Sequence, residues 1–165
     1  MIRIGLLSDT HGYIDDNLLN HLKKCDEIWH AGDFGGNGVI DTLQSLGKPL
    51  KGVYGNIDDR KTISDFPETL VFYCEQVKIM MKHIGGYPPK FNKNTIAQVL
   101  AEKPTIFISG HSHILKILYS EPFNCLHINP GAAGKQGWHK IRTMVSFTID
   151  GADIKDCQVI ELGLR

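Results

Sequence analysis

"IRIGLLSDTHGYIDDNLLNHLKKCDEIWHAGD", residues 2–33, decides the fold. It begins with a short apolar run, "IRIGLLS" (2–8), that stops at a polar turn. Such a run reads as a buried strand. "DDNLLNHLKKC" (15–25) then sets Leu18, Leu19 and Leu22 at helical spacing, with Lys23 and Lys24 in the last turn, where cations suit a helix C-terminus. "EIWHAGD" (27–33) returns to the strand pattern and runs into Gly-Asp. Strand, helix and strand in close succession imply a parallel pair with a right-handed crossover.

The pattern continues outward. "GVIDTLQSLG" (38–47) reads as a helix closed by Gly47, and "LKGVYGN" (50–56) as a third strand. "TLVFYCEQVKIMMKHIGG" (69–86) reads as a hairpin around Glu75 and Gln76. "NTIAQVLAEK" (94–103) is an amphipathic helix and "PTIFISGHSH" (104–113) a strand. "ILKILYS", "NCLHINPG", "TMVSFTID" and "ADIKDCQVIEL" are strand-like, and the last two flank Asp150-Gly151, a hairpin signal. No repeat or linker interrupts the chain. The expectation is one α/β domain over residues 1–165, its sheet parallel in the first part and antiparallel in the second, split into two packed sheets with helices outside.

Composition narrows the function. A chain of 165 residues with 42% hydrophobic content can bury a real core. With 18 basic and 18 acidic side chains and no basic block, a large nucleic-acid footprint is disfavoured. Cys25, Cys74, Cys125 and Cys157 form no Cys-x-x-Cys pair, so they read as buried free thiols rather than as a zinc or redox motif. The first residues lack the apolar core of a signal peptide, and no stretch approaches the ~20 apolar residues of a membrane span. A cytoplasmic protein is expected. Apolar strand faces in the second half offer a surface for a homo-oligomer.

Five strand ends carry the chemistry. They present Asp9 and His11, then Asp33, then Asn56, then His83, then His111 and His113. Functional sites in open α/β sheets form outside the carboxyl ends of the strands. Two Asp, one Asn and four His are too many imidazoles for one ion with an open position. They suit two ions with mixed nitrogen and oxygen ligands and a shared carboxylate. Taken singly, each residue also has a structural reading: Asp9 as a helix N-cap, Asp33 as a turn, Asn56 with Asp58 as an Asx turn, His83 as a packed histidine. Among the other histidines, His21 reads as solvated, His30 and His127 as packing groups, and His139 as a loop residue that could line the cleft.

The ordered set Asp-x-His, Gly-Asp, Gly-Asn, His and Gly-His-x-His resembles the calcineurin-like metallophosphoesterases. The chain length and the ending Asn129-Pro130-Gly131 resemble the small YfcE-type phosphodiesterases. The resemblance implies a four-layer α/β/β/α fold. It implies that Asp9, His11, Asp33 and His113 hold one divalent ion, and that Asp33, Asn56, His83 and His111 hold a second, with Asp33 bridging. Catalysis would rest on Asp33, Asn56 and His83, and a metal-bridging hydroxide would attack a small phosphodiester in line. Manganese is the ion it implies first; the ligand set also suits iron, cobalt, nickel or zinc. Many superfamily members read Gly-Asn-His-Glu, whereas this chain reads Gly55-Asn56-Ile57-Asp58. Isoleucine cannot supply general-acid help worth ~10²–10⁴-fold, so diesters with acidic leaving groups are expected. Ala132 stands where the subgroup often has Ser. The alternative from another class is a scaffold acting through protein contacts, as in the retromer subunit of similar fold; a complete ligand set argues for the enzyme.

Overall fold

The computed structural model describes residues 1–165. Two five-stranded sheets pack face to face, with helices on their outer surfaces. The first sheet holds β1 (Ile2–Leu7), β2 (Glu27–His30), β3 (Leu50–Gly52) and the long C-terminal hairpin of β11 (Ile141–Asp150) and β12 (Asp153–Leu164). Its order is β12-β11-β1-β2-β3. Strands β1, β2 and β3 run parallel, and β11 joins β1 antiparallel.

The second sheet contains β4 (Thr69–Cys74), β5 (Val77–Lys82), β8 (Ile106–Ile108), β9 (Leu115–Ser120) and β10 (Cys125–Pro130), in the order β4-β5-β8-β10-β9. A two-stranded ribbon, β6 (Gly86–Tyr87) with β7 (Lys90–Phe91), stands apart. The second half is therefore not simply antiparallel. β5, β8 and β10 are parallel, and only the edge strands β4 and β9 run the other way. The cause is α4 (Lys93–Glu102), which lies between β5 and β8 and forms the crossover that a parallel pair needs. Strand β9 is an edge, and it exposes Leu115, Ile117, Leu118 and Tyr119.

Three apolar clusters account for the layers. Ile4, Leu6, Trp29, Ile79, Ile108 and Phe147 belong to the cluster between the sheets. Leu18, Leu22, Val39, Ile40 and Leu43, from α1 (Asp16–Leu22) and α2 (Asn37–Gln44), pack on the first sheet. Val99 of α4 packs with Met80 and Phe107 on the second. α1 and α2 end three residues before their sequence patterns do, and α4 keeps its pattern's length shifted by one residue. Side-chain caps fix the starts of α1 and α4. Asp15 accepts a hydrogen bond from Leu18 N, and Asn92 from Thr95 N. A further helix, α3 (Arg60–Asp65), capped by Asp59, has no counterpart in the sequence reading. At six residues it is too short to show an apolar stripe. Cys25, Cys74 and Cys125 are buried and free, but Cys157 is exposed on β12. No helix is long and apolar enough to cross a membrane.

Candidate metal centre

All seven predicted ligands come together at the carboxyl ends of β1, β2, β3, β5 and β8. Asp9 and His11 follow β1, Asp33 follows β2, Asn56 follows β3, His83 follows β5, and His111 and His113 follow β8. The last two do not alternate along an extended strand, because β8 already ends at Ile108. Both lie in the left-handed region instead, as do Asp9, His11 and Asp33 (φ 53° for Asp9, 46° for His11, 58° for Asp33, 68° for His111, 58° for His113). A non-glycine residue held there costs about 1–3 kcal/mol. Five such residues in one site mark backbone shaped by side-chain placement rather than by local preference.

The side chains fall into two groups, Asp9-His11-His113 and Asp33-His83-His111, each with its donor atoms within 4.8 Å of one another. In the first, His113 Nε2 lies 3.2 Å and His11 Nε2 3.8 Å from Asp9 Oδ1. In the second, His83 Nε2 is 3.2 Å from Asp33 Oδ2. The Asn56 Oδ1 atom is 3.2 Å from His83 Nε2 and 2.9 Å from His111 Nδ1, which joins it to this group. Asp33 Oδ2 also lies 3.4 Å from His11 Nε2, so one carboxylate reaches both groups.

The electrostatics follow. Burial alone would raise the Asp9 and Asp33 carboxyls, but the imidazoles around them hold both below the ordinary carboxylate range. Asp9 raises the affinity of His11 for a proton, and Asp33 and Asp9 do so for His83 against its burial. Asp9 Oδ1 is buried and has no well-aligned hydrogen-bond donor. The Nε2 atoms of His11 and His113 stand 3.3 Å apart, so at most one of the facing positions can carry a proton without conflict. Carboxylate oxygens and imidazole nitrogens converging in this way fit divalent cations.

A supporting layer of hydrogen bonds sets this geometry. Ser8 Oγ donates to Asp9 Oδ2 at 2.6 Å, and His111 N donates to the same oxygen at 3.1 Å. His83 Nδ1 meets Ala31 O at 2.7 Å, which fixes a proton there and leaves Nε2 free to face Asp33. Asp58 serves the backbone, not a histidine: its two oxygens accept from Gly35 N and Gly55 N at 3.0 and 2.8 Å. It thereby ties the Asp33 turn to the Asn56 turn. Gly55 is required by proximity, since a Cβ there would lie 2.0 Å from Asp33 Oδ1.

Sequence reasoning missed the part played by Asn129. Its Nδ2 donates to Gly110 O at 3.0 Å and to Ser112 Oγ at 3.1 Å, while its Oδ1 accepts from Gly131 N. It braces the Gly-His-Ser-His turn from the end of β10, and Ser112 is held by this contact as well as being small. Asn-Pro-Gly after an apolar run was the available signal. His30 is a buried support, with Gly32 N donating to its Nδ1 and Thr10 Oγ1 at 3.0 Å from its Nε2. His127 lies in the core, and His21 is half-buried on α1. His139 does line the cleft, its ring edge-on to His113 at 5.4 Å between centroids.

Comparisons with known proteins agree on the fold. The chain resembles an archaeal phosphodiesterase at 19% identity and TM-score 0.77, over 97% of this chain and 99% of that one. It resembles a predicted phosphoesterase from Streptococcus pneumoniae at 23% identity and TM-score 0.73, over 98% and 90%. It is equally similar in shape to Vps29 of Entamoeba histolytica, a structure complexed with zinc, at 18% identity and TM-score 0.76, over 98% and 100%. No curated protein matches it by sequence. A family model described as the calcineurin-like phosphoesterase superfamily domain matches residues 2–152, and the chain belongs to that superfamily.

Proposed function

We propose that the protein is a binuclear metal-dependent phosphodiesterase acting on a small phosphodiester. The observation that carries this reading is Asp33, whose Oδ2 lies 3.4 Å from His11 Nε2 and 3.2 Å from His83 Nε2. One carboxylate between two complete ligand groups suits a pair of ions. Asp9, His11, Asp33 and His113 would hold the first, and Asp33, Asn56, His83 and His111 the second. Two bound divalent ions, manganese first among the candidates, supply a nucleophile from water at neutral pH and Lewis acidity for the phosphoryl oxygens.

The chain's own residues do the rest. The carboxylates and imidazoles are fixed before any ligand arrives, by Ser8, Ala31 O, Asn129 and the backbone of the turns. Two cavities share His111 and Ser112 in their walls, one of about 550 Å³ towards His113 and one of about 340 Å³ towards Tyr87. A phosphorus atom seated against these two residues has a cavity on each side for a substituent, which favours a diester over a monoester. Ile57, 45% exposed beside Asn56, offers no proton to a leaving group. Acidic leaving groups are therefore the expected substrates. The buried free thiols of Cys25, Cys74 and Cys125 suit a reducing, cytoplasmic setting.

Chelator-stripped protein assayed on bis-p-nitrophenyl phosphate, before and after adding Mn²⁺, tests the reading. Restored hydrolysis that exceeds that of p-nitrophenyl phosphate is expected. A folded protein inert with Mn, Fe, Co, Ni and Zn would instead support a scaffold working through protein contacts.

A further inference from the structure

The larger of the two cavities has an unusual wall. Trp138 is 98% exposed, whereas the chain's other tryptophan, Trp29, is fully buried. Trp138 lines the same cavity as His11, His111 and His113, with Ile114 (61% exposed) and Gln136 also on its lining. Leaving so large an apolar surface in water calls for a reason.

The loop that carries Trp138 is anchored rather than free. His139, the next residue, has Nε2 at 2.8 Å from Gly134 O. The Arg165 guanidinium donates to Gly137 O, and Arg165 N donates to Lys140 O at 3.1 Å. Gly137 sits so close to the candidate ligand His113 that a Cβ there would lie 2.2 Å from Nδ1, and its φ of 126° is open only to glycine. These contacts fix the backbone on both sides of Trp138 beside the candidate metal centre, and the indole itself is open to solvent.

We propose that this lobe is a subsite for a planar aromatic group of the diester, of the nucleobase class. The proposal rests on the phosphodiesterase reading of the centre. The indole offers a stacking face, Ile114 an apolar surface, and the Gln136 amide both a donor and an acceptor for a base edge. The phosphate then lies at His111 and Ser112, and the second substituent enters the lobe beside Tyr87 and Lys90.

Acrylamide quenching of tryptophan emission reads this lobe directly, because Trp29 is shielded by the core. The metal-loaded protein is titrated with AMP, and with ribose 5-phosphate, which has the phosphate and sugar without the base. Saturable shielding of Trp138 by AMP, and none by ribose 5-phosphate, is expected. By calorimetry, Trp138→Ala should weaken AMP binding about tenfold, as loss of a base-stacking ring does, and Trp138→Phe should recover most of it. Absence of shielding by AMP, or equal shielding by both phosphates, overturns the subsite. Manganese-dependent hydrolysis of bis-p-nitrophenyl phosphate by the same sample would then leave the phosphodiesterase reading standing. Shielding by AMP without any diester turnover would keep the subsite and remove the enzyme.

Discussion

The histidines of the candidate metal centre and those packed behind it have opposite fates. His11 and His83 meet buried carboxylates, and both are drawn towards the protonated form. His30 and His127 are at least as deeply buried but have no carboxylate against the ring, and burial pushes them down to about 3 and about 4. Burial therefore does not decide which imidazoles can serve a metal centre. The placement of Asp9 and Asp33 does. They and Asp58 are the buried acids of the chain, and all three stand at one edge of the two sheets.

Removing a carboxylate from the strand-end region is the hardest test of that contrast. Asp33→Asn keeps the shape and the backbone contact with Ile57 N, but it takes away the charge that both groups share. Turnover of bis-p-nitrophenyl phosphate should fall at least ~10³-fold, beyond the ~10–100-fold typical of residues that act through a ligand, with far-UV circular dichroism preserved. Activity at the parental rate in freshly metallated protein would sink the bridging assignment. His111→Ala comes next. His111 is exposed and belongs to the second group alone. The variant should bind one ion instead of two by elemental analysis and lose more than about 10²-fold in rate, above the range for residues that act only through a ligand. Retention of two tightly held ions would show that the two groups are not separate sites.

The fold was legible in the sequence where period and punctuation agree. The run from Ile2 to Asp33 names its strands and helix by spacing alone, and the Asp150-Gly151 turn marks the hairpin that the structure shows. The direction of β5, β8 and β10 was not legible, since strand periodicity is the same for parallel and antiparallel neighbours. The seven candidate ligands stood out jointly, because two carboxylates, one carboxamide and four imidazoles fall at five strand ends in the order of the calcineurin-like pattern, although each taken singly has a structural reading. The braces were hidden. Asn129 follows an apolar run like many turn residues, and only the folded chain shows it reaching across to Gly110 and Ser112. Asp58 read equally as a partner for a ligand histidine and as a turn former, and it joins two turns.

Asn129 gives a milder test than a ligand does. Asn129→Ala leaves Gly110 O without its side-chain donor and loosens the turn that carries His111 and His113. A drop of about 10–100-fold in metal affinity or rate is expected, and Asn129→Asp should not rescue it, because a carboxylate cannot donate to Gly110 O. An unchanged metal affinity would mean that the turn holds itself.

The smallest effect on activity, and the cleanest on stability, belongs to the interior. His127 is fully buried, its ring nitrogens lack well-aligned partners, and its folded pKa is about 4 against an ordinary 6.5. Protons bind it more readily when the chain is unfolded. The folded state therefore keeps its full advantage above pH 6.5 and loses it progressively as pH falls towards 4. At about 1.4 kcal/mol per pH unit, this one residue should remove about 2 kcal/mol of stability by pH 5. His127→Leu should flatten that part of a urea-denaturation profile taken between pH 7 and pH 5, while turnover at neutral pH stays near the parental rate. Because His30 titrates by the same cause, a residual slope should persist in the variant. If His127→Leu leaves the profile as steep as before, burial of His127 does not drive the acid sensitivity, and His30 or the carboxylate-paired groups carry it instead.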